Sequence, residues 1–151
     1  LPGAPQYLQP ENYHLTLLFL GNTPDAELDA VAAIGEAQRG TCTSLRFDRW
    51  EYWKDARAVV ASTPDRPEPL LRLRANLAAG LERRGVGFDD KPLRPHITVA
   101  RKLAQAPVLP ELSKLSWTLR GFSLVSSLSA PGGSVYTVVA TWPLLDTAPS
   151  S

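Results

Sequence analysis

Tyr13–Leu17 reads YHLTL, and Pro95–Val99 reads PHITV. His14 and His96 are the only histidines in the 151 residues, and each stands in the same frame: His, apolar, Thr, apolar. In an extended strand, alternate side chains share a face. His14 and Thr16 are therefore expected on one side of a first strand, with Leu15, Leu17 and Phe19 on the other. His96 and Thr98 should oppose Ile97 and Val99 in the same way. Two such strands side by side would floor a cleft with two imidazoles and two hydroxyls. One His–Thr pair in a strand is ordinarily a half-buried polar pair; a repeat that uses both histidines points to a chemical site.

Outward from these motifs, Tyr13 to Leu20 reads as a strand closed by the turn signal Gly21-Asn22. Thr23-Pro24-Asp25 has the pattern of an N-cap, an N1 proline and an acidic first turn. Leu28, Val31 and Ile34 follow at helical spacing, with Gly40 as the stop. Leu45 to Trp53 and Arg57 to Ser62 read as strands joined by a tight KDA connection, hence a hairpin. A loop, TPDRPEP, leads to a second helix from near Pro69, with the stripe Leu70, Leu73, Leu77 and Leu81 and a stop at Gly85. Its arginines, Arg72, Arg74, Arg83 and Arg84, are expected on a solvated face. Ile97 to Lys102, Ser116 to Ser127 and Ser134 to Trp142 complete the strands, the last two separated by the turn APGGS. The tail beyond Leu145 is small and polar, as frayed ends are. The order is β-α-β-β-α-β-β-β, an α+β pattern with mostly antiparallel pairing. A His-x-Thr strand, a helix and further strands recur in each half, which suggests a structural duplication.

Composition narrows the function. A 44% hydrophobic, 21% charged chain of this length suits one globular domain. No apolar run is long enough to cross a bilayer, so no membrane role is expected. A net charge of +1 argues against a broad nucleic-acid footprint, leaves room for local basic patches, and places any acidic ligand at a confined site. Cys42 is the lone cysteine, which allows no intrachain disulfide and fits a reducing cytoplasm. The chain opens on Leu1 and not Met, and "LPGAPQ" reads as the interior of something longer.

The chemistry open to two imidazoles and two hydroxyls is limited. Zinc would need a third protein ligand, and neither Cys42 nor any Asp or Glu stands at a recognisable ligand spacing. No G-x-S-x-G elbow is present, and Cys42 has no basic neighbour in GTCTS. Opening a cyclic phosphodiester needs a base to activate water and an acid for the leaving oxygen. Histidine suits both, with its ordinary pKa of about 6.5. Threonine hydroxyls on the same faces would supply donors to the phosphoryl oxygens.

ENYHLTLLFLG (Glu11–Gly21) and RPHITVAR (Arg94–Arg101) resemble the two signature motifs of the two-histidine phosphoesterase superfamily. Within it they are most similar to the RNA 2′,3′-cyclic phosphodiesterases, historically called 2′-5′ RNA ligases. The likeness runs from Pro10 to about Trp142. It implies a bilobal α+β fold: two mostly antiparallel sheets with flanking helices, related by a pseudo-twofold, and a groove between them where the motifs meet. It further implies metal-independent opening of a 2′,3′-cyclic phosphate to a 2′-phosphomonoester without a cofactor, with reversible 2′-5′ RNA ligation as a further activity. By motif match His14 resembles the proton donor to the departing 3′ oxygen and His96 the base. Thr16 and Thr98 resemble the phosphate-oxygen donors. Near-symmetry of the motifs also permits the reverse assignment of the histidines.

Arg101 matches a phosphate-binding arginine of the second motif. Strict alternation puts it on the Ile97 and Val99 face, so it joins the site only if the strand twists, bulges or ends near Ala100. Arg94 is a further candidate, and Tyr13, Trp50, Tyr52 and Trp53 are aromatics able to stack a base or to fill core and rim. The expected partners are RNA with 2′,3′-cyclic phosphate ends, tRNA fragments among them, or small cyclic nucleotides. The expected protein is a cytoplasmic monomer of one two-lobed domain, residues 1–151. The family pattern also has a strand and a helix ahead of PEN, which are expected to be missing from this chain. Rival readings are a cyclic phosphodiesterase for a small nucleotide or nucleotide-sugar, and a non-catalytic RNA-end-binding module.

Overall fold

Alternation across Arg49–Ser62 organises the sheet that carries the second motif. In a computed structural model describing residues 5–146, the chain starts with β1 (Gln6–Tyr7) and a 3-10 turn at Pro10–Asn12. A second 3-10 turn, Asp25–Glu27, leads into α1 (Leu28–Glu36), β2 (Thr43–Phe47), β3 (Arg49–Trp53) and β4 (Ala58–Ser62). Then come α2 (Glu68–Arg84), β5 (His96–Arg101), β6 (Leu115–Leu119), β7 (Gly121–Ala130) and β8 (Gly133–Pro143). Four strands form an antiparallel sheet in the order β1-β5-β4-β3, while β2 pairs with β6 and β7 with β8. The fold is α+β, built on several small antiparallel sheets.

Two compact units divide the chain. The first takes the described residues up to Thr16, with Leu45–Asp65 and Arg94–Trp117, and contains the four-stranded sheet. Val59, Ala100 and Leu103 form one buried cluster in it, flanked by Trp50, Tyr52, Val99 and Leu109. The second takes Leu17–Ser44, Arg66–Leu93 and the residues from Thr118 onward. It holds both α-helices and the β7–β8 ribbon around Val31, Ile34, Leu81 and Val86. Each unit therefore draws on both halves of the sequence.

Several element boundaries differ from expectation. Tyr13–Leu20 is not a strand. Its carbonyls find partners outside any ladder: Leu17 O accepts from Arg74 Nε at 3.2 Å, and Phe19 O accepts from the Asp89 N–H at 2.8 Å. The chain bends at Leu17, and the bend changes the parity. Leu18 and Leu20 pack on the second unit's core, whereas Phe19, expected with Leu15 and Leu17 on the side opposite His14, is 64% exposed. Arg74, expected on a solvated face, is instead the clamp on this segment, also donating to the Asp89 and Lys91 carbonyls. Arg72, Arg83 and Arg84 are exposed as expected.

The run Leu45–Trp53 breaks at Asp48 into β2 and β3, and Ser116–Ser127 breaks at Arg120 into β6 and β7. α1 stops at Glu36, well short of Gly40. There Gln38 Nε2 donates to Ile34 O and Arg39 Nη1 to Glu36 O, satisfying the last carbonyls with side chains. The β3–β4 hairpin and the left-handed Gly85 that closes α2 (φ 70°) are as the sequence predicts. The polar tail beyond Leu145 lies almost wholly outside the described residues.

Candidate active site

The first unit's sheet has two chemically distinct faces. In an antiparallel ladder, paired residues project to the same side. β3 and β4 pair Arg49 with Ser62, Glu51 with Val60 and Trp53 with Ala58. β4 and β5 pair Ser62 with His96 and Val60 with Thr98. One face thus carries Glu51, Trp53, Ser62, His96 and Thr98. The other carries Trp50, Tyr52, Val59 and Ala100, which pack into the core. The aromatics grouped together from the sequence are divided: Trp50 and Tyr52 are core, and Tyr52 donates its hydroxyl to Leu103 O at 2.7 Å. Tyr13 is exposed.

A β-bulge resolves the parity of Arg101. The β4–β5 register runs Val60 to Thr98 and then Val59 to Ala100, leaving Val99 as an extra residue without a partner in β4. One extra residue reverses the alternation beyond it. Ala100 accordingly faces the core at 3% exposure, and Arg101 returns to the face of His96 and Thr98. Lys102 follows with φ 62°, in the left-handed region, and ends the strand.

Both imidazoles are anchored alike. His14 Nδ1 lies 2.7 Å from Asn12 O, and His96 Nδ1 lies 2.6 Å from Arg94 O, the carbonyl two residues earlier in each case. A carbonyl only accepts, so each Nδ1 carries the proton, and Nε2 becomes the nitrogen at which protonation changes. Local sequence builds both anchors. Pro10 opens the 3-10 turn, closed by Asn12 N–H to Gln9 O and Tyr13 N–H to Pro10 O, which sets the Asn12 carbonyl. Pro95, fully buried, restricts Arg94 to extended backbone and sets its carbonyl.

His14, Thr16, His96, Thr98 and Arg101 all belong to the first unit. Burial holds the His96 pKa below the ordinary histidine value, the Nδ1 bond to Arg94 O opposes this, and the charges of Arg94, His14 and Arg101 push it further down. Thr16 is exposed, and Thr98 is half-buried. Sequence reasoning missed Glu51 and Ser62 and did not set Trp53 apart. The Trp53 and His96 rings lie 4.2 Å apart, and the Arg94 guanidinium stands 4.2 Å over the indole. The Ser62 hydroxyl, 6% exposed, has no hydrogen-bond partner among the described residues, but it is near enough to Glu51 to hold that carboxyl below the usual carboxylate range. Trp53, Arg94 and Arg49 act on Glu51 in the same direction, against burial. Alternation in β3 separates Trp53 from Trp50 in principle, but only the β4–β5 register brings it to His96. No group of three His, Cys, Asp or Glu side chains disposed to hold a metal occurs among the described residues.

A family model described as the 2′-5′ RNA ligase superfamily matches residues 4–130. The chain belongs to that superfamily. Among curated members, the RNA 2′,3′-cyclic phosphodiesterase of Thermus thermophilus is 39% identical over 146 residues, 89% of this chain and 73% of that protein. Its Escherichia coli counterpart of the same name is 28% identical, over 95% of this chain and 82% of that one. Among solved structures, E. coli LigT complexed with 3′-AMP superposes with a TM-score of 0.83 at 28% identity, over 95% of this chain and 83% of that chain. No helix among the described residues is long and apolar enough to cross a membrane.

Proposed function

We propose that this superfamily member hydrolyses RNA 2′,3′-cyclic phosphate ends to 2′-phosphomonoesters by paired histidine acid–base catalysis, without a metal. The observation that carries the proposal is the matched anchoring of His14 and His96, which makes Nε2 the proton-exchanging nitrogen of both rings. In the forward reaction neutral His96 Nε2 takes a proton from water as its oxygen attacks phosphorus. The bond from phosphorus to the 3′ oxygen breaks, and protonated His14 supplies the proton that oxygen needs. Each turnover ends with the two protonation states exchanged, and solvent restores them. The lowered His96 pKa supports its assignment as the base, since a base must enter the cycle unprotonated. Thr16, Thr98 and Arg101 are assigned to the phosphoryl oxygens, where hydroxyl and guanidinium donors stabilise charge as it develops. With a 5′-hydroxyl end in place of water as the nucleophile, the same constellation performs 2′-5′ ligation: the 5′ oxygen attacks phosphorus, His96 takes its proton, and the 3′ oxygen leaves with the proton from His14. The curated relatives carry the corresponding phosphodiesterase name. A lone free cysteine fits the reducing cytoplasm in which we place the reaction.

Single-turnover opening of an oligonucleotide 2′,3′-cyclic phosphate tests the mechanism. His14→Ala and His96→Ala should each lower the rate by about 10²- to 10⁴-fold. Full activity in either variant refutes paired-imidazole catalysis. A second reading is hydrolysis of a mononucleotide cyclic phosphate, favoured by the capture of 3′-AMP by the E. coli homologue. Preference for a mononucleotide over the oligonucleotide in kcat/KM would select it.

A further inference from the structure

The imidazole of His96 is anchored at one atom, and one hydrogen bond leaves a ring able to pivot about that point. A second contact, on the ring face, removes this freedom. Trp53 supplies it: the two rings lie 4.2 Å apart at an interplanar angle of 50°. In register Trp53 stands beside Ala58 and His96 beside Ser62, on the same face of β4, so the contact runs diagonally over that strand. The indole is itself held in two ways. Its Nε1 donates a long bond to Glu51 Oε2 at 3.5 Å, and the Arg94 guanidinium stands over it at 4.2 Å. Glu51 and Arg94 also attract one another electrostatically, so the clamp closes on itself. Arg94 serves twice, its carbonyl holding His96 Nδ1 and its cation covering the wall behind. Trp53 is not among the residues packed against Val59, Ala100 and Leu103, the cluster that Trp50 and Tyr52 flank from the opposite face.

We propose that Trp53 is a positioning residue for His96: its indole fixes the plane of the imidazole and keeps bulk water off it. The inference deepens the phosphodiesterase reading and gives a reason for the chemistry of the second histidine. The groups acting on His96 are the cations Arg94 and Arg101 and His14, with Glu51 beyond the indole and Arg49, level with His96 across β4, paired to Asp48. Three of these disfavour a proton on His96. Water admitted by loss of the indole would screen them and solvate the imidazolium, so the ring should take up its proton more readily.

With only two histidines, ring C–H proton resonances can be assigned by one variant, His14→Gln, and titrated without any substrate. In the unaltered protein, His96 should titrate below about 6.5. Trp53→Ala should move that titration upward, carry the acid limb of kcat/KM with it, and lower kcat about a hundredfold through misplacement of the base. Trp53→Phe, which keeps an aromatic wall, should hold the titration low and retain activity within a few-fold. If Trp53→Ala fails to fold, Trp53→Gln, a wettable side chain of intermediate length, takes its place with the same expectations. A folded Ala or Gln variant with unchanged His96 titration overturns the proposal, as does a Phe variant that behaves like Ala. If the NMR shifts appear while the protein opens no cyclic phosphate, the positioning role stands and the phosphodiesterase reading falls.

Discussion

At the residue scale, the two histidines differ from ordinary strand residues in what holds them. Each donates Nδ1–H to a carbonyl set two positions earlier by a proline-bearing turn or approach. That choice of nitrogen is invisible in the tetrapeptide, because it depends on the backbone of Asn12 and Arg94. The pKa directions give a stability prediction with a definite sign. Folding lowers the His96 pKa, so the native state binds fewer protons there than the unfolded chain between the two values. Its contribution is complete above about pH 6.5 and is lost as pH falls toward the folded value. Glu51 is also lowered, but here the favoured form is the charged one, so its contribution is present above its ordinary value of 4.5 and is lost below it. Urea midpoints should therefore decline in two steps on acidification, and His96→Gln should abolish the upper step alone. A single carboxylate step in the unaltered protein would contradict this account.

At the scale of elements, one additional backbone residue decides whether Arg101 can serve the site. Without the bulge at Val99, its guanidinium would aim at Val59 and Leu103, where a charge is costly. The helices depend on a different fit. A Cβ on Gly80 would stand 2.7 Å from Ile34 Cγ2, closer than real contacts allow, so α1 and α2 meet through the missing side chain. Gly80→Ala gains about 1 kcal/mol in helix propensity but overpacks a core junction at a cost of about 1–3 kcal/mol. A net loss of stability, read as a lower urea midpoint at unchanged slope, is expected; a gain would mean that Ile34 repacks without strain. Strand and helix existence was legible where periodicity was strong, as in α2 and the β3–β4 hairpin. It failed at Tyr13–Leu20, where an apolar alternating run takes its hydrogen bonds from Arg74 and Asp89, partners far along the chain.

At the scale of the whole molecule, the candidate residues were legible because both motifs are local and chemically unusual. Their arrangement was not, since it depends on long-range register: Ser62 beside His96, Val60 beside Thr98, and Gln6 beside Arg101. For the same reason Trp53 could not be separated from its aromatic neighbours by composition alone. The ribbon of β7 and β8 has a consequence for handling the protein. Past Leu124, which packs on the helices, it exposes the pair Val125 and Val138 on one side and Leu128 and Val135 on the other. Long greasy hairpins with open margins recruit like segments from neighbouring chains into intermolecular β-structure. Concentrated solutions should therefore cloud on warming before the four-stranded sheet melts. A lysine in place of Val138 should delay the turbidity seen by light scattering and leave the catalytic rate intact.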